Sequence, residues 1–277
     1  MTSYNKNNIN DIFQSIKGAL AHDKQTGGTG DILKLEPGNT YTVRLLPTKE
    51  PKKTFFHYYQ HGWTSFSTGQ YVSTLSLQTF GERDPIAEER FRILKTGTDA
   101  QKKKAETVKR AEKWLVNVYV VNDPTNSENN GKVKILRYGK QLQAVITDAI
   151  EGDESESIGP RIFDLSPNGV NLRIKVEKQG DFPSYVASKF SLPSEIKDLD
   201  EDKYQKVYDS VFEIDKVFTV KSADDLKLML KEHFYADKTE KAAVEEAPKQ
   251  VKEAPVRVSV DNDDEVSKLL DGLDLNS

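Results

Sequence analysis

Cysteine is absent from all 277 residues, so neither a disulfide nor a thiolate-held metal contributes to this fold. Long apolar runs are missing too. No segment approaches the roughly 20 residues that span a bilayer, and no membrane contact is expected. The opening Met1-Thr2-Ser3-Tyr4-Asn5-Lys6 has no apolar signal-peptide segment, which sets the expectation of an intracellular protein. Apolar residues make up only 36%, so part of the chain is expected to stay outside a core. Twelve Phe, eleven Tyr and two Trp still supply enough bulk for a substantial one. An excess of positive charge is also missing: 40 basic side chains face 44 acidic ones, for a net of −4. Taken alone, that argues against a polyanionic partner.

The distribution of charge reverses the argument. Residues 261–277 carry Asp261, Asp263, Asp264, Glu265, Asp271 and Asp274 against Lys268 alone, a net of −5. The remaining residues, 1–260, hold 39 basic and 38 acidic side chains, a net of +1. Within them, residues 101–113 concentrate Lys102, Lys103, Lys104, Lys109, Arg110 and Lys113 against Glu106 and Glu112. A chain segregated in this way can bind a polyanion locally while remaining acidic overall.

Periodicity gives the organisation. Ile9, Phe13, Ile16 and Leu20 predict an amphipathic helix within residues 1–22, capped by Asn8, Asn10 or Asp11. Gly27-Gly28-Thr29-Gly30 follows; it lacks the Gly-Lys-Ser/Thr ending of a phosphate-binding loop and reads as a connector. Strands are predicted at Tyr41 to Leu46, Phe55 to Tyr59, Tyr71 to Leu77, Trp114 to Val121, Val133 to Tyr138 and Val170 to Val176. Helices are predicted at Ala100 to Lys113, Gly139 to Ile150, Asp200 to Phe212, and from an N-cap at Ser222 through Phe234. Residues 237–260 are Lys, Glu, Ala, Val and Pro without periodicity, a linker by composition. Strands separated mostly by turns favour a mainly β fold with added helices (α+β). The expected architecture is an oligonucleotide-binding-type barrel with an inserted subdomain and C-terminal helices.

Cations interleaved with aromatics suit a nucleic acid, because charges track phosphates while ring faces stack on bases. The run Lys102 to Lys113 leads into Trp114, and a turn returns the chain to Arg137, Tyr138 and Lys140. A charge run is ordinarily a solvated helix face, and a large aromatic opening a strand is ordinarily core. Lys109, Arg110 and Lys113 are the primary candidates for phosphate contact, with Lys102, Lys103, Lys104 and Lys140 secondary. Arg44 and Arg137, each in mid-strand, point either to solvent or to a polyanion. Trp114 is either core or base platform. Phe182 and Tyr185 follow a Gly180-Asp181 turn in polar surroundings, where a buried pair is less expected. Tyr58, Tyr59 and Tyr71 fit a platform or a core equally well. In residues 261–277, Val266, Leu269, Leu270 and Leu273 recur at helical spacing among acids, a pattern suited to docking in a partner's groove. The candidate partner-binding residues are Asp263, Asp264, Glu265, Leu269, Leu270, Asp271 and Leu273.

Catalysis has weaker support. A metal-dependent nuclease needs carboxylates converging on a metal, and Asp84, Glu88 and Glu89 have no evident strand partner. A scaffold that works through its acidic terminus and touches nucleic acid incidentally is the other alternative. No metal or cofactor is expected.

Several strings, in order over roughly residues 40–190, resemble the single-stranded-DNA-binding (helix-destabilising) protein of T-even-like bacteriophages. They are Val43 to Lys49, His61-Gly62-Trp63, Trp114 to Lys140, Phe182 to Tyr185 and Ser188-Lys189-Phe190. The resemblance implies a basic, aromatic-lined cleft with Arg44, Trp114, Arg137, Phe182 and Tyr185 at matching positions and Tyr138 replacing another aromatic. It further implies self-association along DNA through residues 1–22, a single-stranded-DNA-binding core over 23–236, a linker over 237–260, and an acidic tail over 261–277. That tail would recruit replication and recombination proteins. The implied role is to coat single strands during phage replication, recombination and repair, in the cytoplasm of the infected host.

Two departures stand out. The family's best-known members hold zinc with one histidine and three cysteines; His61 matches the histidine, but Thr74, Ser76, Ile86 and Glu89 stand near the cysteine positions. Trp63, Phe66, Tyr71, Phe80 and Phe91 are expected to hold residues 62–92 by packing instead, and His61 with His57 and Glu88 or Glu89 is a weak metal candidate. The N-terminus has only Lys6 and Lys17, without the family's basic cluster. If the acidic terminus competes with DNA, deleting residues 261–277 tightens single-strand binding at low salt in a fluorescence titration. Unchanged affinity across salt concentrations would refute self-masking.

Overall fold

A computed structural model of the chain describes residues 31–153, 155–180 and 182–236. The expected self-association segment, linker and acidic tail lie outside the described residues. The strands are β1 (Thr40–Leu46), β2 (Phe56–Thr64), β3 (Tyr71–Leu75), β4 (Lys109–Asn122), β5 (Val133–Tyr138), β6 (Val170–Lys175), β7 (Glu177–Gln179), β8 (Phe182–Ser184) and β9 (Lys189–Pro193). The helices are α1 (Pro85–Thr96), α2 (Asp99–Glu106), α3 (Lys140–Glu151), α4 (Ser155–Ile158), α5 (Glu201–Asp209) and α6 (Ala223–Leu230), the last running into a π turn over Lys231–Tyr235. No described helix is long and apolar enough to cross a membrane.

The chain divides into two compact units. The first comprises the described parts of residues 1–56 and 115–218; the second comprises residues 57–114 and the described part of 219–277. Strand β4 therefore contributes residues 109–114 to the second unit and 115–122 to the first.

In the first unit β1 is central. It pairs antiparallel with β4, Leu46 opposite Asn117 through Val43 opposite Val120, and on its other edge with β6, Thr40 opposite Lys175 through Val43 opposite Leu172. β6 pairs in turn with β9. The run Leu115 to Val120 is buried throughout, as expected of a strand covered on both faces. β5 folds back on β4 through a turn in which Gly131 takes a φ of 77°, and its N–H donates to the Val120 carbonyl at 2.9 Å. The apolar stripe of α5, Tyr204, Val207 and Tyr208, packs with Val211 against Leu46, Tyr119, Leu165, Ile196 and Leu199.

The α+β class holds, but the expected closed barrel does not form among the described residues. The outer edge of β5 is occupied by the segment before β1: Leu33 N–H donates to the Ile135 carbonyl at 2.8 Å, beside a parallel bridge between Ile32 and Ile135. At the other end, β9 is short and bulged against β6.

Arg44 is the largest departure from expectation in this unit. On a strand paired along both edges, it is 0% exposed rather than facing solvent or a polyanion. Its Nε donates to Asn171 Oδ1 at 2.9 Å, Nη1 to the carbonyls of Asp164 and Ser166, and Nη2 to the Ser194 carbonyl at 2.8 Å. Burial lowers its pKa, partly offset by the charge of Asp164. Gly169 makes the arrangement possible, because a Cβ there would meet the Asp164 carbonyl oxygen and Arg44 Nη1 within about 2 Å. Arg44→Leu strands these buried acceptors and is expected to destabilise the first unit by about 3–5 kcal/mol in urea unfolding. A midpoint equal to wild type would refute the clamp.

Candidate nucleic-acid interface

The second unit combines β2, β3 and the start of β4 with helices α1, α2 and α6. β2 pairs with β3, Gln60 opposite Leu75 through Thr64 opposite Tyr71, and with the first part of β4. Trp63, Leu77, Ile86, Ile93, Ala105, Val108, Leu226, Met229, Leu230 and Phe234 form the core, with Phe66 packed on it. Of the aromatics expected to hold this segment, Trp63 and Phe66 join its core. Tyr71 and Phe80 are exposed, and Phe91 is 67% exposed on α1. Helix α6 starts in the predicted place, with a capping box between Ser222 and Asp225.

A buried carboxylate supplies what those aromatics do not. Asp84 Oδ2 accepts from His61 Nε2 at 3.0 Å, Ser76 Oγ at 2.6 Å and Leu77 N–H at 2.9 Å. Oδ1 caps α1 by accepting from the Ile86 and Ala87 N–H groups at 2.9 Å each. Burial works to raise its pKa. The His61 hydrogen bond and charge, with Ser76 and the Ala87 N–H, outweigh burial and hold the carboxyl well below the usual carboxylate range. His57 is engaged elsewhere, and no described group of three or more His, Asp or Glu is placed to hold a metal.

Asp84 thereby fixes β2 to the 3₁₀ turn Leu77–Phe80, and these two elements carry the candidate site. On β2, His57 and Tyr59 share a face; on β4, Arg110, Glu112 and Trp114 share one, by strand alternation. The His57 ring stacks on Trp114, with centroids 4.8 Å apart and planes at 25°, and meets Tyr59 edge-on at 5.0 Å. His57 Nε2 bonds Glu112 Oε1 at 2.8 Å. The Arg110 guanidinium lies 4.7 Å from the Tyr59 centroid, and its Nη1 donates to Gln78 Oε1 from the 3₁₀ turn. The result is a continuous row, Trp114–His57–Tyr59–Arg110, of half-buried or exposed rings ending in a cation. Stacked and cation-capped rings are pre-set in their rotamers, which suits flat ligands with negative charge nearby.

The expected residues divide between the units. Arg110 and Trp114 join the row, and Lys109 is exposed beside it in sequence. Lys113 is 5% exposed, because alternation turns it away from the face of Arg110 and Trp114; it is corrected as a surface phosphate contact. Residues 100–106 are helical, but 109–113 are strand, so the six cations split. Lys103 is exposed and Lys102 half-buried, while the Lys104 ammonium sits 4.3 Å from the Phe66 centroid and 5.2 Å from that of Phe234. In the first unit, Tyr138 is only 2% exposed and its hydroxyl donates to Gln143 Oε1 at 3.0 Å, so it is corrected from base platform to core. Arg137, Lys140, Phe182 and Tyr185 are half-buried. The Tyr185 N–H donates to Gln141 Oε1 at 2.6 Å, which sets the end of the β7–β8 hairpin against the start of α3, near Lys140. Asp263, Asp264, Glu265, Leu269, Leu270, Asp271 and Leu273 lie outside the described residues.

The model of the family described as gp32 DNA binding protein like matches residues 38–236. The chain belongs to the gp32-like DNA-binding protein family. It is 30% identical over 177 residues to the single-stranded DNA-binding protein of Enterobacteria phage T4, and 29% identical over 177 residues to that of Enterobacteria phage T2. Each match covers 63% of this chain and 58% of the relative, so the chain spans under three-fifths of the length of these relatives.

In the sequence Tyr59 stands out only as a further platform or core residue and His57 only as a metal candidate, and nothing marks Gln78 or Glu112 as neighbours of the row. The signal was present in the alternation at 57 and 59 and at 110, 112 and 114, had 109–114 been read as strand. Both tryptophans, Trp63 and Trp114, lie in the second unit, so their fluorescence reports on its unfolding. Because the Asp84 pKa is depressed in the folded state, its stabilisation is complete above about pH 4 and is lost as pH falls below that. Asp84→Asn is expected to cost about 2 kcal/mol or more at neutral pH and to flatten the acid dependence read by tryptophan fluorescence. An unchanged acid profile would refute the hub.

Proposed function

We propose that this chain binds and coats single-stranded DNA through the Trp114–His57–Tyr59–Arg110 row, as a binding protein rather than an enzyme. The row carries the reading. It offers ring faces that any base can stack on, next to a cation for the connecting phosphates, on neighbouring strands of which β2 is held by Asp84 through His61. Lys109, exposed on the other face of β4, is a candidate further contact in the second unit, and Arg137, Lys140, Phe182 and Tyr185 are candidate further contacts in the first. A ligand that prefers unpaired strands draws the melting equilibrium toward them by mass action, which protects single strands and removes hairpins without nucleotide hydrolysis.

The setting we propose is phage DNA replication, recombination and repair in the cytoplasm of an infected bacterium. Residues 1–22 would serve self-association along the strand, and residues 261–277 would recruit replication and recombination proteins. The T4 and T2 relatives, both named single-stranded DNA-binding proteins, support the DNA reading.

Salt titration of tryptophan quenching on a single-stranded homopolymer tests it. Neutralising about four phosphates gives a slope of roughly −3 in log affinity against log salt. Tyr59→Ala is expected to lose about 1–3 kcal/mol of binding, and Arg110→Gln to make the slope shallower by about 0.7. Wild-type affinity and slope in both variants would remove the row from the interface.

A further inference from the structure

A guanidinium has two chemically different surfaces. Its N–H donors lie in the plane, while its two faces carry no donor and stack on rings. At Arg110 the Nη1 bond to Gln78 Oε1 uses one in-plane donor and leaves the faces clear. The group lies over the half-buried Tyr59 ring, its central carbon 4.7 Å from the centroid, so one side is engaged. Arg110 is nevertheless exposed, and the side away from Tyr59 is open to solvent. Among the described residues, Tyr59 and Gln78 are the partners of this guanidinium.

The amide that holds Arg110 is itself tied to the ring beneath it. Gln78 belongs to the 3₁₀ turn Leu77–Phe80, and two bonds join that turn and its cap to the Tyr59 backbone. Thr79 Oγ1 accepts from the Tyr59 N–H at 3.0 Å, and the Ser76 N–H donates to the Tyr59 carbonyl at 2.8 Å. Ser76 Oγ in turn accepts from the Gln78 N–H at 3.3 Å and donates to Asp84. Gln78 and Tyr59 thus share one anchor, and the guanidinium is set in position before any ligand arrives. A base stacking directly on the covered side of Tyr59 would have to displace it.

We infer that the open side of Arg110 is itself a base platform, so that Tyr59, guanidinium and nucleobase stack in that order, with Gln78 as the positioning residue. The inference rests on the single-strand-binding reading above and changes what the end of the row does. The face of the cation takes a base, and its remaining edge donors take a neighbouring phosphate. Unpaired bases stack on arginine planes as they do on aromatic rings, and a planar cation between two π-faces is attracted to both. A lysine ammonium is a point charge with no face to offer. The contact is tolerant of sequence, because every base has a π-face.

The test follows the full-length chain by anisotropy of end-labelled strands at fixed salt, on oligo(dT) and on an abasic deoxyribose-phosphate strand of equal length. The abasic strand keeps every phosphate and lacks the stacking partner, so the affinity ratio between the two isolates what the bases contribute. Arg110→Lys keeps the charge but removes the plane, and should lower that ratio about five- to thirtyfold, the scale of one lost base stack. Gln78→Met keeps the bulk of the side chain but removes the acceptor, and should lower the ratio by about two- to fivefold. Added to Arg110→Lys it should lower the ratio no further, because it acts through the guanidinium. Urea midpoints check that each variant is folded; if Gln78→Met is not, the Arg110→Lys ratio decides alone. An Arg110→Lys variant with the wild-type ratio overturns the platform and leaves Arg110 as a phosphate contact. A Gln78→Met variant with the wild-type ratio, or with a loss that adds in full to that of Arg110→Lys, overturns the positioning role. A wild-type protein that binds neither strand overturns single-strand binding itself.

Discussion

The second unit depends on one carboxylate. Asp84 accepts five hydrogen bonds from donors on three elements: His61 on β2, Ser76 and Leu77 at the 3₁₀ turn, and the first N–H groups of α1. A charge buried without partners would cost several kcal/mol, so this one is tolerated only because both oxygens are filled. By the resemblance, the family's best-known members hold a zinc ion with a histidine and three cysteines. Here the histidine remains, and an anion with converging donors does the joining in place of a cation with converging ligands. The strand bearing Tyr59 and the turn bearing Gln78 are both anchored to Asp84, so the geometry around Arg110 is set from the interior outward.

Strand β4 shows how one element serves two ends. Residues 115–120 are buried throughout, as a covered central strand requires, and apolar except for Asn117, whose amide exchanges hydrogen bonds with the Phe212 backbone. Residues 109–114 alternate instead, placing Arg110, Glu112 and Trp114 on one face and burying Lys113 on the other. The exposed aromatics stay ordered because each ring is paired: Trp114 with His57, His57 with Tyr59, Tyr59 with Arg110. Ordering them before a ligand arrives removes part of the rotamer entropy that binding would otherwise cost.

Much of the fold was legible because periodicity is strong where one face is buried. The alternation Val170, Leu172, Ile174 marked β6, and the stripe Tyr204, Val207, Tyr208 marked α5. The Ser222–Asp225 cap was readable from local chemistry alone. The failures have physical causes. Lys, Glu and Ala between 100 and 113 favour helix intrinsically, but pairing with β2 turned 109–113 into strand, a tertiary effect that propensity does not contain. Helix α1 was missed because its apolar face is thin, with only Ile86 and Ile93 fully buried. Arg44 and Tyr138 were read as exposed because polar atoms in strands ordinarily are. Each is buried with partners distant in sequence or one turn ahead, Asn171 and three carbonyls for Arg44 and Gln143 for Tyr138. In the site, the chemistry was visible as residue types, but the pairing of His57 with Glu112, 55 positions apart, was not.

The Arg44 clamp also constrains when the first unit can form. Its partners lie 120 to 150 residues further along the chain, and β1 finds one of its two neighbours only when β6 has been made. At a synthesis rate of about 5–20 residues per second, β1 waits on the order of ten seconds with that edge unpaired. During that interval the guanidinium at its centre is solvated and charged, and it discourages the bare strand from adding to another nascent chain. The residue that later becomes the most thoroughly buried cation in the sheet thus begins as its gatekeeper against aggregation.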